Sequence, residues 1–126
     1  MILLDTSALI DSLTGPRRSL AILRHILEAR ERVGICSLVL YEWLRWPRTD
    51  EELAAQESLF PAAAAVPFEN EDARTSARIY SSLTRSRSRE IDIAIAACAI
   101  RREAQLWTLN PEDFAGIPGL RLFRAK

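Results

Sequence analysis

Met1-Ile2-Leu3-Leu4-Asp5-Thr6-Ser7 opens the chain, and its reading decides the fold. Three apolar residues run into an acid and then into two small hydroxyl residues. The apolar run is too short for a helix core, and nothing in it alternates. It therefore predicts a short strand buried on both faces, as in a parallel sheet. Asp5 falls where that strand ends and the next element begins. In open α/β sheets ligands bind at the carboxyl ends of the strands. A buried, unpaired carboxylate costs several kcal/mol, so one placed there implies a partner.

Outward from that stretch, short apolar runs alternate with helical patterns. Ala8-Leu13 reads as a short helix stopped by Gly15-Pro16, with Pro16 in the first turn of a second helix. That second helix carries Leu20, Leu23, Ile26 and Leu27 on one stripe, with His25 on the polar side. Val33-Cys36 predicts a second strand, Ser37 an N-cap, and Leu38-Leu44 a helix closed by Pro47. Asp50 is expected to cap an acidic, alanine-rich helix ending at Leu59. Ala65-Phe68, between Pro61 and Pro67, reads as a strand, and Asn70 as the cap of a helix that turns Ala73, Ala77 and Tyr80 inward. Arg85-Arg89 is a basic loop, and Ile91-Ile100, apolar nearly all round, a buried helix. Leu106-Leu109 and Leu120-Phe123 read as strands, the latter at an edge, with a capped helical turn at Asn110-Phe114 between them. The alternation predicts one α/β domain over residues 1–126 with a mostly parallel sheet covered by helices.

Bulk properties narrow the function. With 126 residues the chain has the size of one domain. Lys+Arg and Asp+Glu number 17 each, so no net field draws it to nucleic acid or to a membrane surface. All the bases but Lys126 are arginine, which favours bidentate contacts with carboxylate or phosphate. Cys36 and Cys98 lie in apolar surroundings without metal-ligand spacing and read as buried thiols. No leader and no membrane-length apolar run is visible, so a cytoplasmic protein is expected.

Four acids sit oddly for a surface. Asp5 follows the first strand, Glu42 lies in the apolar helix after the second, Asp92 heads the buried helix, and Asp113 follows the strand at Leu106-Leu109. Taken singly, Asp92 also reads as an ordinary helix N-terminal acid, Asp113 as a cap or arginine partner, and Glu42 as a partly exposed helix residue. Together they can approach one sheet edge, where carboxylates repel and take up protons unless a cation lies between them. Oxygen ligands without a His or Cys cluster point to Mg²⁺ or Mn²⁺. Thr6, Ser7, Thr108 and Asn110 flank the acids as supporting polar groups. Such an ion orients and acidifies a water and stabilises charge on a phosphoryl oxygen. Arg85, Arg87 and Arg89, just before Asp92, read either as contacts to substrate phosphates or as a solvated loop.

These motifs resemble the PIN domain, and within it the VapC-type toxin ribonucleases of toxin–antitoxin pairs. The matching pieces are Leu3-Ser7, Ser37 to Glu42, Asp92 leading into Ile95-Ala96-Ala97, and Thr108-Phe114, in the family's order over nearly the whole chain. The resemblance implies a PIN-like three-layer α/β/α fold and Mg²⁺- or Mn²⁺-dependent endonucleolytic cleavage of RNA. It makes Asp5, Glu42, Asp92 and Asp113 the metal-binding and catalytic acids, with Thr6, Ser7 and Asn110 in support. It also implies a small antitoxin partner that blocks the site. A homodimer, joining further copies when the antitoxin binds, is expected from the apolar surface around Leu40, Trp43, Leu44 and Trp46. Relatives often carry a glycine shortly before the third acid. Here Arg87-Ser88-Arg89-Glu90 fills that place, and Glu90 rivals Asp92. A housekeeping RNA-processing PIN nuclease and a non-catalytic PIN-like RNA-binding protein are the alternatives. A haloacid-type phosphatase would need a second Asp at position 7. A receiver domain would need an acidic pair after the first strand and a lysine after the last. No glycine-rich phosphate loop occurs.

Overall fold

A computed structural model describes residues 1–125 of the chain. Four parallel strands, β1 (Ile2–Leu4), β2 (Val33–Gly34), β3 (Gln105–Trp107) and β4 (Arg121–Leu122), form one sheet in the order β2-β1-β3-β4. β1 is central: Ile2 pairs with Val33 on one side and with Gln105 on the other. Successive strand residues face opposite sides of a sheet. Ile2, Leu3 and Leu4 are nevertheless all buried, so both faces are covered and the fold is the expected three-layer α/β/α arrangement.

The covering helices are α1 (Thr6–Leu13), α2 (Leu20–Glu28), α3 (Ser37–Leu44), α4 (Asp50–Leu59), α5 (Asn70–Ser82) and α6 (Glu90–Arg101). α6 packs on α3, α5 and β3, and its Ile93 and Ile95 to Ala99 are buried, as its nearly all-round apolar sequence requires. Cys36 and Cys98 are both buried with free thiols. Among the described residues no helix is long and apolar enough to cross a membrane.

Several local expectations are corrected. Pro16 does not open α2. Gly15 and Arg17 on either side of it have φ of 56° and 53°, a left-handed backbone that no right-handed helical turn admits, so α2 starts at Leu20. Cys36, not Ser37, occupies the N-cap of α3, and the Ser37 hydroxyl instead accepts the Phe68 N–H at 3.0 Å. α4 is capped by Thr49, one residue before Asp50, through a reciprocal box with Glu52. Ala65-Phe68 forms no strand: Ala62–Ala64 is a 3-10 turn, and only Val66 bridges, to Cys36. Pro67 has no N–H with which to continue a ladder.

The largest difference is at α5. Glu69 and Asp72 cap one another, displacing Asn70 from that role, and the helix buries Asp72 and Ile79 while Ala73, Ala77 and Tyr80 stay exposed. Asp72 is fully buried because it accepts from Arg101 at 2.7 Å and from both terminal nitrogens of Arg102 at 2.9 and 3.1 Å. Burial pushes its carboxyl up, but the Arg102, Glu69 main-chain and Arg101 hydrogen bonds outweigh this and hold it down at about 2. An acid thus acts as a core residue, and the inward face lies one position before the one the apolar residues mark.

Candidate active site

Asp5 stands at the carboxyl end of the central strand. Its main-chain N–H donates to the Trp107 carbonyl at 2.8 Å, which fixes it between β1 and β3. β2 and β3 flank β1 on opposite sides, so this is the point where the strand order switches direction. Asp5 is also the N-cap residue of α1, but its side chain makes no capping hydrogen bond. The carboxylate is held sideways instead. Ser7 Oγ donates to Oδ2 at 3.0 Å and Thr108 Oγ1 donates to the same oxygen at 2.8 Å. The two hydroxyls lie 3.2 Å apart, and each accepts a main-chain N–H, Ser7 from Leu109 and Thr108 from Asn110. Oδ1 makes no hydrogen bond among the described residues, so the cradle presents one carboxylate oxygen outward.

Glu42 reaches the same edge from α3. Thr6 Oγ1 donates to its Oε1 at 2.6 Å, and Arg45 Nη2 lies 3.5 Å from Oε2. The adjacent residues Thr6 and Ser7 thus each orient a different acid. Asp92 is in the first turn of α6. Its carboxyl is pushed up to about 6, first by burial and then by the charges of Asp5, Asp113 and Glu42, with Arg89 pulling the other way. The charges of the other three acids thus reach Asp92. Asp113 is exposed on the 3-10 turn Pro111–Phe114, which Asn110 precedes. Asn110 contributes its main-chain N–H to the cradle. Glu90 is exposed and turns back to accept the Ser88 N–H at 3.3 Å.

The basic loop divides. Arg85 and Arg87 are exposed, whereas the Arg89 guanidinium is taken up by main-chain carbonyls of Arg85, Asp113 and Ala115. Ser88 carries a φ of 68°, a left-handed backbone that favours glycine, adopted here by a serine. Arg45 beside Glu42 and the carbonyl contacts of Arg89 are two features that sequence reading missed. An i,i+3 spacing on α3 was the only available signal, and it covers Arg45 alone.

The PIN domain family profile matches residues 2–120. The chain belongs to the PIN domain family. This PIN domain is 32% identical over 124 residues to Ribonuclease VapC19 of Mycobacterium tuberculosis, covering 96% of this chain and 98% of that relative. Among solved structures it is similar to DNA-bound VapBC of Salmonella typhimurium, with a TM-score of 0.78 and 23% identity over 97% of this chain and 96% of that one. It is also similar to VapBC-5 of Mycobacterium tuberculosis, a member of the VapBC family of toxin–antitoxin systems. There the TM-score is 0.64 with 28% identity over 98% of this PIN domain and 97% of the other chain.

The donors of the PIN site are all oxygen. Their chemistry fits a hard divalent cation, because burial and the charges of three other carboxylates raise the Asp92 carboxyl to about 6, a load that a cation would relieve. The side chains stand apart: among the described residues no group of three or more His, Cys, Asp or Glu stands close enough together to hold a metal ion. The site is an open edge. Cavities of about 410, 340 and 290 Å³ are lined by none of the four acids, though Glu90 lines the second. His25 lines the first beside Ile2, at the other end of the strands.

Proposed function

We propose that this PIN domain is a Mg²⁺- or Mn²⁺-dependent endoribonuclease and the toxin of a VapBC-type toxin–antitoxin pair. The observation that carries the reading is the press of Asp5, Glu42 and Asp113 on the partly buried Asp92 beside the switch point of a PIN sheet. Its identity to a protein named as a ribonuclease supports the substrate, and its likeness to VapBC assemblies supports an antitoxin partner.

Asp5 and Asp92 would hold the ion, with Glu42 and Asp113 completing the site. When bound, the ion acidifies a water and neutralises charge that develops on the phosphoryl oxygens. Ser7 and Thr108 fix the Asp5 carboxylate through one oxygen and leave the other for the ion. Thr6 holds Oε1 of Glu42, and Arg45 neighbours Oε2. The open edge admits a polymer, and the exposed Arg85 and Arg87 lie next to it in the chain, where they meet phosphates. Of the apolar residues around α3, Trp43 belongs to the core, while Tyr41, Leu44 and Trp46 are 50 to 60% exposed. That exposed group supplies a contact surface for the antitoxin or for a second copy.

Cleavage of structured RNA with Mn²⁺, with and without chelator, tests the reading against Asp5→Asn. Loss of cleavage in chelator and in the variant is expected, and equal cleavage by the variant overturns the catalytic assignment. Growth arrest on expression, relieved by the product of an adjacent small reading frame, separates a toxin from a housekeeping RNA-processing nuclease.

A further inference from the structure

We propose that Arg89 is a positioning residue of the carboxylate site, clamping the turn that carries Asp113 against the head of the helix that carries Asp92. The proposal rests on the metal-dependent nuclease reading above and assigns Arg89 away from the substrate.

Arg89 immediately precedes α6. Its Nη2 donates to the carbonyl of Asp113 at 3.0 Å and to that of Ala115 at 2.9 Å, and its Nη1 donates to the carbonyl of Arg85 at 3.2 Å. These are main-chain acceptors on three residues, and two of them lie 24 and 26 residues away along the chain. A charged donor makes stronger hydrogen bonds than a neutral one, and a guanidinium offers them in a fixed fork.

The turn needs an outside tie. Its hydrogen bonds lengthen toward the end, from 3.0 Å for Asp113 N–H to Asn110 to 3.3 Å for Ala115 N–H to Glu112 and 3.4 Å for Ile117 N–H to Phe114. Gly116 follows with a φ of 80°, so the chain leaves the turn at once. Carbonyls at the end of a helical turn have no partner within it. Phe114, buried at 3% exposure, anchors the turn on its apolar side. Arg89 closes the polar side onto the residue next to α6. Asp113 and Asp92 are thereby joined through one side chain rather than through the sheet. The same guanidinium is the positive charge nearest in effect to Asp92. Arg85 and Arg87, exposed in the same loop, are left to meet a polyanion.

The test uses the full chain with Arg89→Ala, Arg89→Lys and a double Arg85→Ala, Arg87→Ala variant. Mn²⁺ binding is titrated without RNA, hydrogen exchange is followed at residues 110–117, and kcat and KM are measured on RNA over a range of salt. Arg89→Ala is expected to weaken Mn²⁺ binding and lower kcat by about tenfold or more each, the usual effect of removing a residue that orients metal ligands. Its KM and salt dependence should stay those of the parent, and exchange at 110–117 should quicken. Arg89→Lys, with the charge but no fork, should behave like Arg89→Ala. The double variant should raise KM and flatten the salt dependence without changing Mn²⁺ binding. Parent-like Mn²⁺ binding and kcat in Arg89→Ala with a raised KM would mark a phosphate contact and overturn the proposal. Full recovery in Arg89→Lys would overturn it too, since charge alone would suffice. Should Arg89→Ala fail to fold, exchange and Mn²⁺ binding in Arg89→Lys decide. A parent protein that neither binds Mn²⁺ nor cuts RNA refutes the nuclease reading, while exchange at 110–117 still reports on the clamp.

Discussion

Replacing Asp92 by asparagine should stabilise the metal-free protein while removing its activity. In the fold the Asp92 carboxyl is raised from 3.8 to about 6 by burial and by Asp5, Asp113 and Glu42. A shift of roughly two units corresponds to ~3 kcal/mol between the protonation states. Water at this partly buried group screens part of that, leaving ~1–2 kcal/mol. The folded pKa lies above the unfolded one, so the folded protein binds the proton more tightly. The Asp92 contribution is therefore most favourable below 3.8, falls as the pH rises from 3.8 to about 6, and carries the full penalty at neutral pH. Asp92→Asn removes the ionisation and with it the penalty. In chelator at neutral pH, urea unfolding should show the variant more stable by ~1–2 kcal/mol, and the gap should close on acidification toward 3.8. Added Mn²⁺ should reverse the order, since the parent gains binding free energy that the variant has lost. A variant no more stable than the parent in chelator, or a parent whose stability is flat over that pH interval, would refute the convergence of the four acids.

Asp72 gives the opposite pH limb. Its pKa is lowered from 3.8 to about 2, so its stabilisation is present above 3.8 and is lost as the pH falls through about 2. Asp72→Asn should cost ~1–2 kcal/mol at neutral pH after allowance for screening, with the deficit vanishing in strong acid, as denaturant titrations at several pH values will report. Ser88→Gly, relieving a φ of 68°, should raise the melting temperature through a gain of up to ~1 kcal/mol. Thr108→Val removes the 2.8 Å hydrogen bond to Asp5 and should lower RNA cleavage and Mn²⁺ affinity by about tenfold or more, measured by initial rates and by metal titration.

Runs whose surroundings are uniform were legible in the sequence. Ile2-Leu4 and the apolar stretch of α6 are buried on all sides, so composition alone placed them, and the acids that follow strands were visible as charges out of place. Caps and faces were less so. Thr49 and Asp50 are both good N-cap residues, and the choice rested on Glu52 folding back. The inward face of α5 was misplaced by one residue because a buried aspartate cannot be told from a solvated one until Arg101 and Arg102 meet it. Arg89 could be counted as a base but not as a clamp, because carbonyls are present at every residue and only the fold selects those of Asp113 and Ala115.

The sequence by itself determined the alternation of strands and helices, the order of the four acids and the family to which they belong. The first two follow from local periodicity and from residue types out of keeping with their neighbours, and the family from the resemblance of the ordered motifs. Only the tertiary structure decided that Ser7 and Thr108 share one oxygen of Asp5, that Glu42 answers to Thr6, and that the basic loop yields one arginine to the framework. Those are short-range, directional interactions between residues as much as 103 positions apart, and nothing in a linear pattern encodes which donor will meet which acceptor.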